Sequence, residues 1–253
     1  MSQTALYRKW RPQNFRTIVG QSAIVTTLRN AVLEQRTAHA YIFSGPRGTG
    51  KTSTARILAK AVNCQNSLQG EPCNQCIHCM NITNGHELDV IEIDAASQTG
   101  VDNIRDLTEQ LNYIPVDVHI KVVIIDEVHM LSTQSFNALL KTLEEPPPHV
   151  MFILATTEMH KIPPTIISRC QRFEFKRITL DEQVAHLRTI CEQENIRTED
   201  TVLQYLAKLS DGGMRDALSL LDQTISYSGQ ELNVEDLIEV TGGIPFDQFE
   251  LFF

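Results

Sequence analysis

Tyr41-Ile-Phe-Ser-Gly-Pro-Arg-Gly-Thr-Gly-Lys-Thr-Ser53 is an apolar run that breaks into a glycine-rich turn ending in Lys-Thr. Gly45, Gly50, Lys51 and Thr52 stand at the spacing of a phosphate-binding loop. In such a loop backbone N–H groups cradle phosphates, the lysine reaches the β and γ oxygens, and the threonine hydroxyl ligates Mg²⁺. Nucleotide contacts are therefore expected from Gly45, Pro46, Arg47, Gly48, Thr49, Gly50, Lys51, Thr52 and Ser53. A glycine-rich loop that binds nothing is the competing reading. It fits poorly with the flanks: residues 40–44 read as a buried strand, and residues 52–62 as a helix whose positive N-terminus faces the phosphates.

A second group of reactive side chains follows, Cys64 and then Cys73-Asn-Gln-Cys76-Ile-His-Cys79. Two consecutive C-x-x-C steps and an upstream cysteine supply four thiolates for a tetrahedral Zn²⁺. A redox pair needs only two of them. Four sulfurs close the shell, so the metal is structural, and His78 and His86 are expected at the surface.

Further along, Lys121-Val-Val-Ile-Ile-Asp126-Glu127 is apolar until it ends in two acids. A strand buried between helices would deliver both carboxylates at its C-terminal edge, where open parallel sheets bind ligands. Asp126 would hold Mg²⁺, and Glu127 would orient and deprotonate an attacking water. The plainer alternative is an Asp-Glu pair that caps the next helix. His129 reads as structural. Thr157, after the strand 150–155, is placed to hydrogen-bond a γ-phosphate or the water, with turn chemistry as its alternative. Arg169 stands among apolar neighbours rather than in a charged run, as a guanidinium placed for use does; an ordinary surface arginine is its alternative.

The elements that must position these groups follow from periodicity. Alternation or continuous apolar runs mark strands at 89–94, 121–127, 150–155 and 171–175. Helical spacing marks 22–33, 101–112 and 133–143, whereas 7–21 is too irregular and basic for a regular element. From Thr179 strands give way to amphipathic helices, opened by the capping box Thr179-Leu-Asp-Glu182 and continued at 198–209, 214–227 and 233–240. Arg215 lies in the first turn of its helix, where a cation opposes the helix dipole. That placement is explained if the side chain reaches a phosphate.

With 253 residues, 42% of them hydrophobic, the chain can bury a real core in two domains, 1–178 and 179–242. Net charge is −9, but unevenly spread. Residues 1–60 carry ten Lys and Arg against one acid, Glu34, a balance of +9, and the remainder carries 12 bases against 30 acids, −18. A basic N-terminal part suits polyanions; a merely solvated basic face is the other reading. No apolar stretch is long enough to span a membrane and no signal peptide is evident, so a cytoplasmic protein with reduced cysteines is expected.

In their order, Gly45 to Thr52, Ile125-Asp-Glu-Val-His-Met130, Ala155-Thr-Thr157, Ser168-Arg-Cys170 and Gly213-Met-Arg-Asp-Ala-Leu218 resemble the clamp-loader group of AAA+ ATPases. The resemblance covers residues 7–243. It implies an α/β AAA+ P-loop NTPase domain with a parallel sheet, an inserted four-cysteine zinc module and a small helical lid. It also implies a motor that uses ATP to open a sliding clamp and load it on primer-template DNA, inside a hetero-pentamer of clamp-loader subunits. By matching position, Lys51 and Thr52 are the phosphate and Mg²⁺ contacts and Asp126 and Glu127 the metal and water acids. Thr157 is sensor 1, Arg215 is sensor 2, and Arg169 is an arginine finger acting on the neighbouring subunit's ATP. Tyr7, Arg11 and Val19 resemble the segment that packs on adenine.

Two features depart from the pattern. Ser97-Gln-Thr-Gly-Val101 lacks the basic residues that face DNA in some relatives, leaving Arg105 as the nearby cation. Gly243-Ile-Pro-Phe-Asp begins a further element just before Phe253, so a fragment without the collar domain is expected, monomeric or weakly associated and poorly active alone. Two rivals stay open: a nucleotide-binding structural subunit without turnover, and another AAA+ DNA motor such as a branch-migration helicase. Lys51, Glu127 and Arg169 together argue against the first, and the four-cysteine insert with Ser-Arg-Cys against the second.

Overall fold

The computed structural model describes residues 4–97 and 100–242. The element expected after Gly243, and Gln98 and Thr99 of the loop that lacks some relatives' basic residues, lie outside the described residues. In chain order the elements are α1 (Leu6–Lys9), α2 (Ser22–Leu33), β1 (Ala40–Ser44), α3 (Lys51–Asn63), α4 (Ile77–Asn84), β2 (Val90–Asp94), α5 (Val101–Gln110), β3 (Lys121–Asp126), α6 (Thr133–Glu144), β4 (Val150–Thr156), α7 (Pro164–Ile167) and β5 (Gln171–Glu174). They continue with α8 (Leu180–Gln193), β6 (Arg197–Thr198), α9 (Asp200–Leu209), α10 (Met214–Ser228), β7 (Glu231–Leu232) and α11 (Val234–Thr241). No described helix is long and apolar enough to cross a membrane.

By compactness the chain falls into two units. The first comprises Pro12–Pro46 and Gly50–Lys176. Its five strands form one parallel sheet in the order β2-β3-β4-β1-β5. The two-residue side-chain period splits each central strand between two cores. Tyr41, Phe43, Val122, Ile124, Met151 and Ile153 enter one core with Phe15, Leu28, Ile57 and Leu58. Ile42, Val123, Ile125, Phe152 and Leu154 enter the other with Ile104, Leu107, Phe136 and Leu139. Register keeps the faces matched, with Tyr41 beside Ile153 and Val123 beside Phe152. Both faces being covered explains why β3 and β4 read as unbroken apolar runs. Because all strands point one way, the carboxyl ends of β1, β3 and β4 finish at one edge, where Ser44 pairs with Thr156 and Asp94 with Asp126.

The second unit holds α8–α11 together with residues 4–11 and Arg47–Thr49. Its core joins Val184, Leu187 and Ile190 of α8 to Leu203 and Leu206 of α9, Leu218 and Leu221 of α10, and Leu237 of α11. The capping box at Thr179 and Glu182 forms as the sequence indicates. Two expectations are corrected. Residues 6–9 form a helix, because Leu6 is buried in this core and its N–H donates to the Asp222 carboxylate at 2.8 Å. Strands also do not stop at Thr179: β6 and β7 pair in parallel, Arg197 beside Glu231, too short for periodicity to reveal.

Candidate functional site

Gly45 follows β1 directly and adopts φ +140°, and a Cβ there would lie 2.2 Å from the Phe175 carbonyl oxygen. Only glycine lets the backbone turn this close to the end of β5. The turn closes with Gly50 at φ +101°, from which α3 starts with Lys51. Lys51 is buried, and its Nζ donates to the Gly45 and Pro46 carbonyls, each at 2.8 Å. Burial pushes its pKa down, opposed by the negative charges of Glu127 and Asp126. The ammonium is thus gathered into the loop it serves, with the carboxylates near enough to be felt. In the second unit, the Gly48 carbonyl accepts from the Met214 N–H at 3.1 Å, so the tip of the loop meets the first residue of α10.

Thr52, one residue into α3, donates its hydroxyl to Asp126 Oδ2 at 2.7 Å. Two hard oxygen donors converging at one point, beside a phosphate-binding loop, are a suitable set for Mg²⁺. Glu127 leaves β3 in the left-handed region at φ +47°, uncommon for a non-glycine residue, and its N–H donates to Asp126 Oδ1 at 3.0 Å. Its carboxylate turns to the end of β4, where the Thr157 hydroxyl donates to Glu127 Oε2 at 3.1 Å. The structure therefore gathers Lys51, Thr52, Asp126, Glu127 and Thr157 in a single unit.

His129 belongs to the same group. Its Nδ1 lies 3.0 Å from Thr156 Oγ1 and 3.4 Å from Glu127 Oε2, and its Nε2 lies 3.5 Å from Glu158 Oε1. The imidazole braces the turn after β3 against the end of β4. Glu158 carries no motif, and the sequence gives Thr156 no role of its own; the parallel register of β3 and β4 brings both here.

The other expected residues have their own surroundings. Arg215, in the first turn of α10, sets its guanidinium 5.2 Å from the centroid of the Tyr7 ring, in cation–π range, and Arg8 lies 5.8 Å from the same centroid. Tyr7 and Arg11 belong to the helical unit and Val19 to the sheet unit. Arg47 is exposed at the tip of the loop. Arg169 donates to the Thr165 carbonyl at 2.6 Å and pairs with Glu144, so none of its partners is in the Lys51 group.

The four cysteines converge. All the sulfurs of Cys64, Cys73, Cys76 and Cys79 lie within 4.8 Å of one another. Zn–S bonds of about 2.3 Å at tetrahedral angles place sulfurs about 3.8 Å apart, and Cys73 and Cys79 stand at 4.0 Å. Backbone N–H groups already point at the sulfurs: Cys73 N–H at Cys64 Sγ, 3.2 Å, and Cys76 N–H at Cys73 Sγ, 3.3 Å. Burial pushes the Cys73 thiol up, but the N–H bonds from Gln75 and Cys76 and the neighbouring thiols outweigh it and bring it down to about 6. The donor set fits zinc. Of the two histidines, His86 is exposed as expected, but His78 is buried, with Nδ1 3.4 Å from Glu87 Oε2 and Nε2 3.2 Å from Gln65. It packs the module without ligating.

Comparison with known proteins gives a consistent picture. A family model described as DNA polymerase III, delta subunit, matches residues 20–179. Another, described as DNA polymerase III clamp loader subunit, ATPase lid domain, matches residues 183–230. DNA polymerase III subunit tau of Bacillus subtilis is 60% identical over 244 residues, 96% of this chain and 43% of that protein. DNA polymerase III subunit gamma of Buchnera aphidicola subsp. Acyrthosiphon pisum is 47% identical over 245 residues, 97% of this chain and 68% of that protein. The chain thus spans 43% of the length of the first of these relatives. Among solved structures, the Thermotoga maritima RuvB Holliday junction branch migration motor superposes with a TM-score of 0.66 at 16% identity, over 92% of this chain and 72% of that one. That likeness is one of fold, the AAA+ P-loop fold.

Proposed function

This chain belongs to the DNA polymerase III tau/gamma clamp-loader family, and on that premise we propose that it is an ATPase motor subunit that helps open a sliding clamp and load it on primed DNA. The observation that carries the proposal is the hydrogen bond from Thr157 to Glu127, beside the Thr52–Asp126 pair, at the carboxyl edge of the sheet. A nucleotide-binding scaffold has no use for a carboxylate held in that position.

In this reading the N–H groups of residues 45–53 and the Lys51 ammonium receive the phosphates, and Lys51 exchanges its two carbonyl acceptors for β and γ oxygens. Thr52 and Asp126 hold Mg²⁺, which when bound neutralises charge developing on the γ-phosphoryl oxygens. Glu127 orients a water in line with the γ-phosphorus and accepts its proton, while Thr157 fixes the carboxylate's direction. Arg215 contributes a cation from the lid, and Arg169 serves the ATP of the adjacent subunit. Tyr7, Arg11 and Val19 take the base. Cys64, Cys73, Cys76 and Cys79 hold a structural Zn²⁺ whose closed shell leaves no position for a reactant. Partners are the other clamp-loader subunits in a hetero-pentamer, the clamp and, through the assembly, primer-template DNA; the compartment is the cytoplasm.

Glu127→Gln in the assembled complex tests the central assignment. ATP binding stays intact and clamp-stimulated turnover falls by about a hundredfold or more, the range of general-base removal. Unchanged turnover would assign water activation elsewhere and favour the scaffold reading.

A further inference from the structure

The four-cysteine module makes no contribution to the chemistry above, yet buried polar contacts tie it to the helix that leaves the nucleotide loop and to the segment around Gln13. Helix α3 begins at Lys51 and its C-cap is Cys64, so one rigid element carries the phosphate grip at one end and a metal ligand at the other. Lys60 on that helix is 1% exposed. Its Nζ donates to the Gln13 carbonyl at 2.9 Å, Gln13 Oε1 at 2.8 Å and Asn74 Oδ1 at 2.7 Å, with Thr83 Oγ1 at 3.5 Å. Asn74 lies between two of the cysteines and Thr83 on α4, so one buried cation joins α3, the module and the segment around Gln13.

A second tie acts on the same segment. Glu71, 8% exposed, accepts the Phe15 N–H at 2.8 Å, and Phe15 is fully buried. Arg16 Nε stands 3.7 Å from the other carboxylate oxygen. Gly70 adopts φ +77°, and a Cβ there would lie 2.4 Å from the Arg29 carbonyl oxygen, so the module's loop also presses on α2. The segment so held continues to Ile18, whose Cγ2 is the nearest atom to a Cβ built on Gly50, at 3.9 Å.

We propose that the metal-bound module is a brace for nucleotide binding, with Glu71 and Lys60 as positioning residues that hold residues 13–19 against the phosphate loop. Folding of the module is coupled to its metal, because four thiolates do not stay clustered without a cation. Loss of the metal withdraws Glu71 and Asn74 from their partners and frees the segment. The inference rests on the nucleotide-site reading of Lys51 and Val19.

The test uses the chain loaded with Zn²⁺, with mant-ATP as the probe. Glu71→Ala, with one zinc still bound, speeds hydrogen exchange at the Phe15 amide and weakens mant-ATP binding roughly tenfold, the size of one charge-assisted hydrogen bond. Lys60→Met, which keeps the side-chain length and removes the donor, acts in the same direction. Chelating Zn²⁺ from the unsubstituted chain reproduces both effects and adds little to Glu71→Ala, since each releases the same segment. Slow Phe15 exchange in both variants overturns the inference. So does fast exchange with unchanged affinity, because the segment would then move without consequence for the nucleotide. A zinc-loaded, unsubstituted chain that binds no mant-ATP, or whose binding survives Lys51→Ala, is a separate result: it removes the nucleotide-site reading and the inference with it.

Discussion

Glu127 combines a left-handed backbone, an N–H committed to Asp126 and a carboxylate oxygen committed to Thr157. Each constraint limits how far the carboxylate can wander, which is what a base that must meet one water requires. Removing the Thr157 hydroxyl releases the side chain without touching the phosphate loop. Thr157→Ala is therefore expected to lower turnover about tenfold, the worth of one hydrogen bond to a charged group, and to leave ATP affinity unchanged in a titration. Arg169 makes the opposite demand on experiment, since its partners Thr165 and Glu144 lie outside the Lys51 group. Arg169→Ala should lower hydrolysis at the neighbouring subunit's site by about 10³ while its own nucleotide affinity holds; a fall confined to its own affinity would refute action in trans. Lys51, Thr52, Asp126 and Glu127 were legible in the sequence because their chemistry is local in spacing. Lys60 and Glu71 were not, because their partners Gln13 and Phe15 are distant in sequence and follow no pattern; for His129 the structural role is legible but its partner Thr156 is not.

At the scale of elements, the turn from β1 into α3 depends on β5, whose end abuts Gly45. Gly45→Ala would set a Cβ against the Phe175 carbonyl and force φ +140° on an L side chain. The expected loss is about 2–3 kcal/mol, seen as a lower unfolding midpoint in denaturant. Strand and helix positions were readable in the sequence wherever burial is two-sided or one-sided over a whole element, as in β3, β4 and α8. Strand order was not: nothing in Ala40–Ser44 states that its neighbours are Val150–Thr156 and Gln171–Glu174. The short α1 escaped notice because the contacts that fix Leu6 come from α10 and its neighbours rather than from a local cap.

For the molecule as a whole, the helical unit is not a contiguous stretch, and its junction with residues 4–11 is polar as well as apolar. Glu194 at the end of α8 accepts from Lys9 Nζ at 2.6 Å and from Trp10 Nε1 at 2.7 Å. The Lys9 bond chiefly holds its carboxyl below the usual carboxylate range; burial opposes it, and the Trp10 bond and the Lys9 charge add to the depression. A depressed pKa in the folded state gives a stabilisation that is present above the unfolded carboxyl's pKa and lost as pH falls through the folded value. Trp10 is the single tryptophan, so its emission reports the junction directly. It should shift as acid protonates Glu194, and Glu194→Gln should abolish that acid transition; a transition that persists in the variant would place the titrating group elsewhere.

The position of β1 in the sheet has a consequence for how the protein is made. Both hydrogen-bonded neighbours of β1, at Val150–Thr156 and Gln171–Glu174, leave the ribosome after β2 and β3, roughly 110 and roughly 130 residues behind the strand they must flank, a delay of about 5–25 s at ordinary synthesis rates. The four cysteines, by contrast, are complete by Cys79. A nascent chain can thus bring its four cysteines together early while the glycine-rich loop still hangs from an unpaired, largely apolar strand. That interval is when β1 is most exposed to wrong pairing or to capture by a chaperone, and it ends only when β4 slides in between β3 and β1.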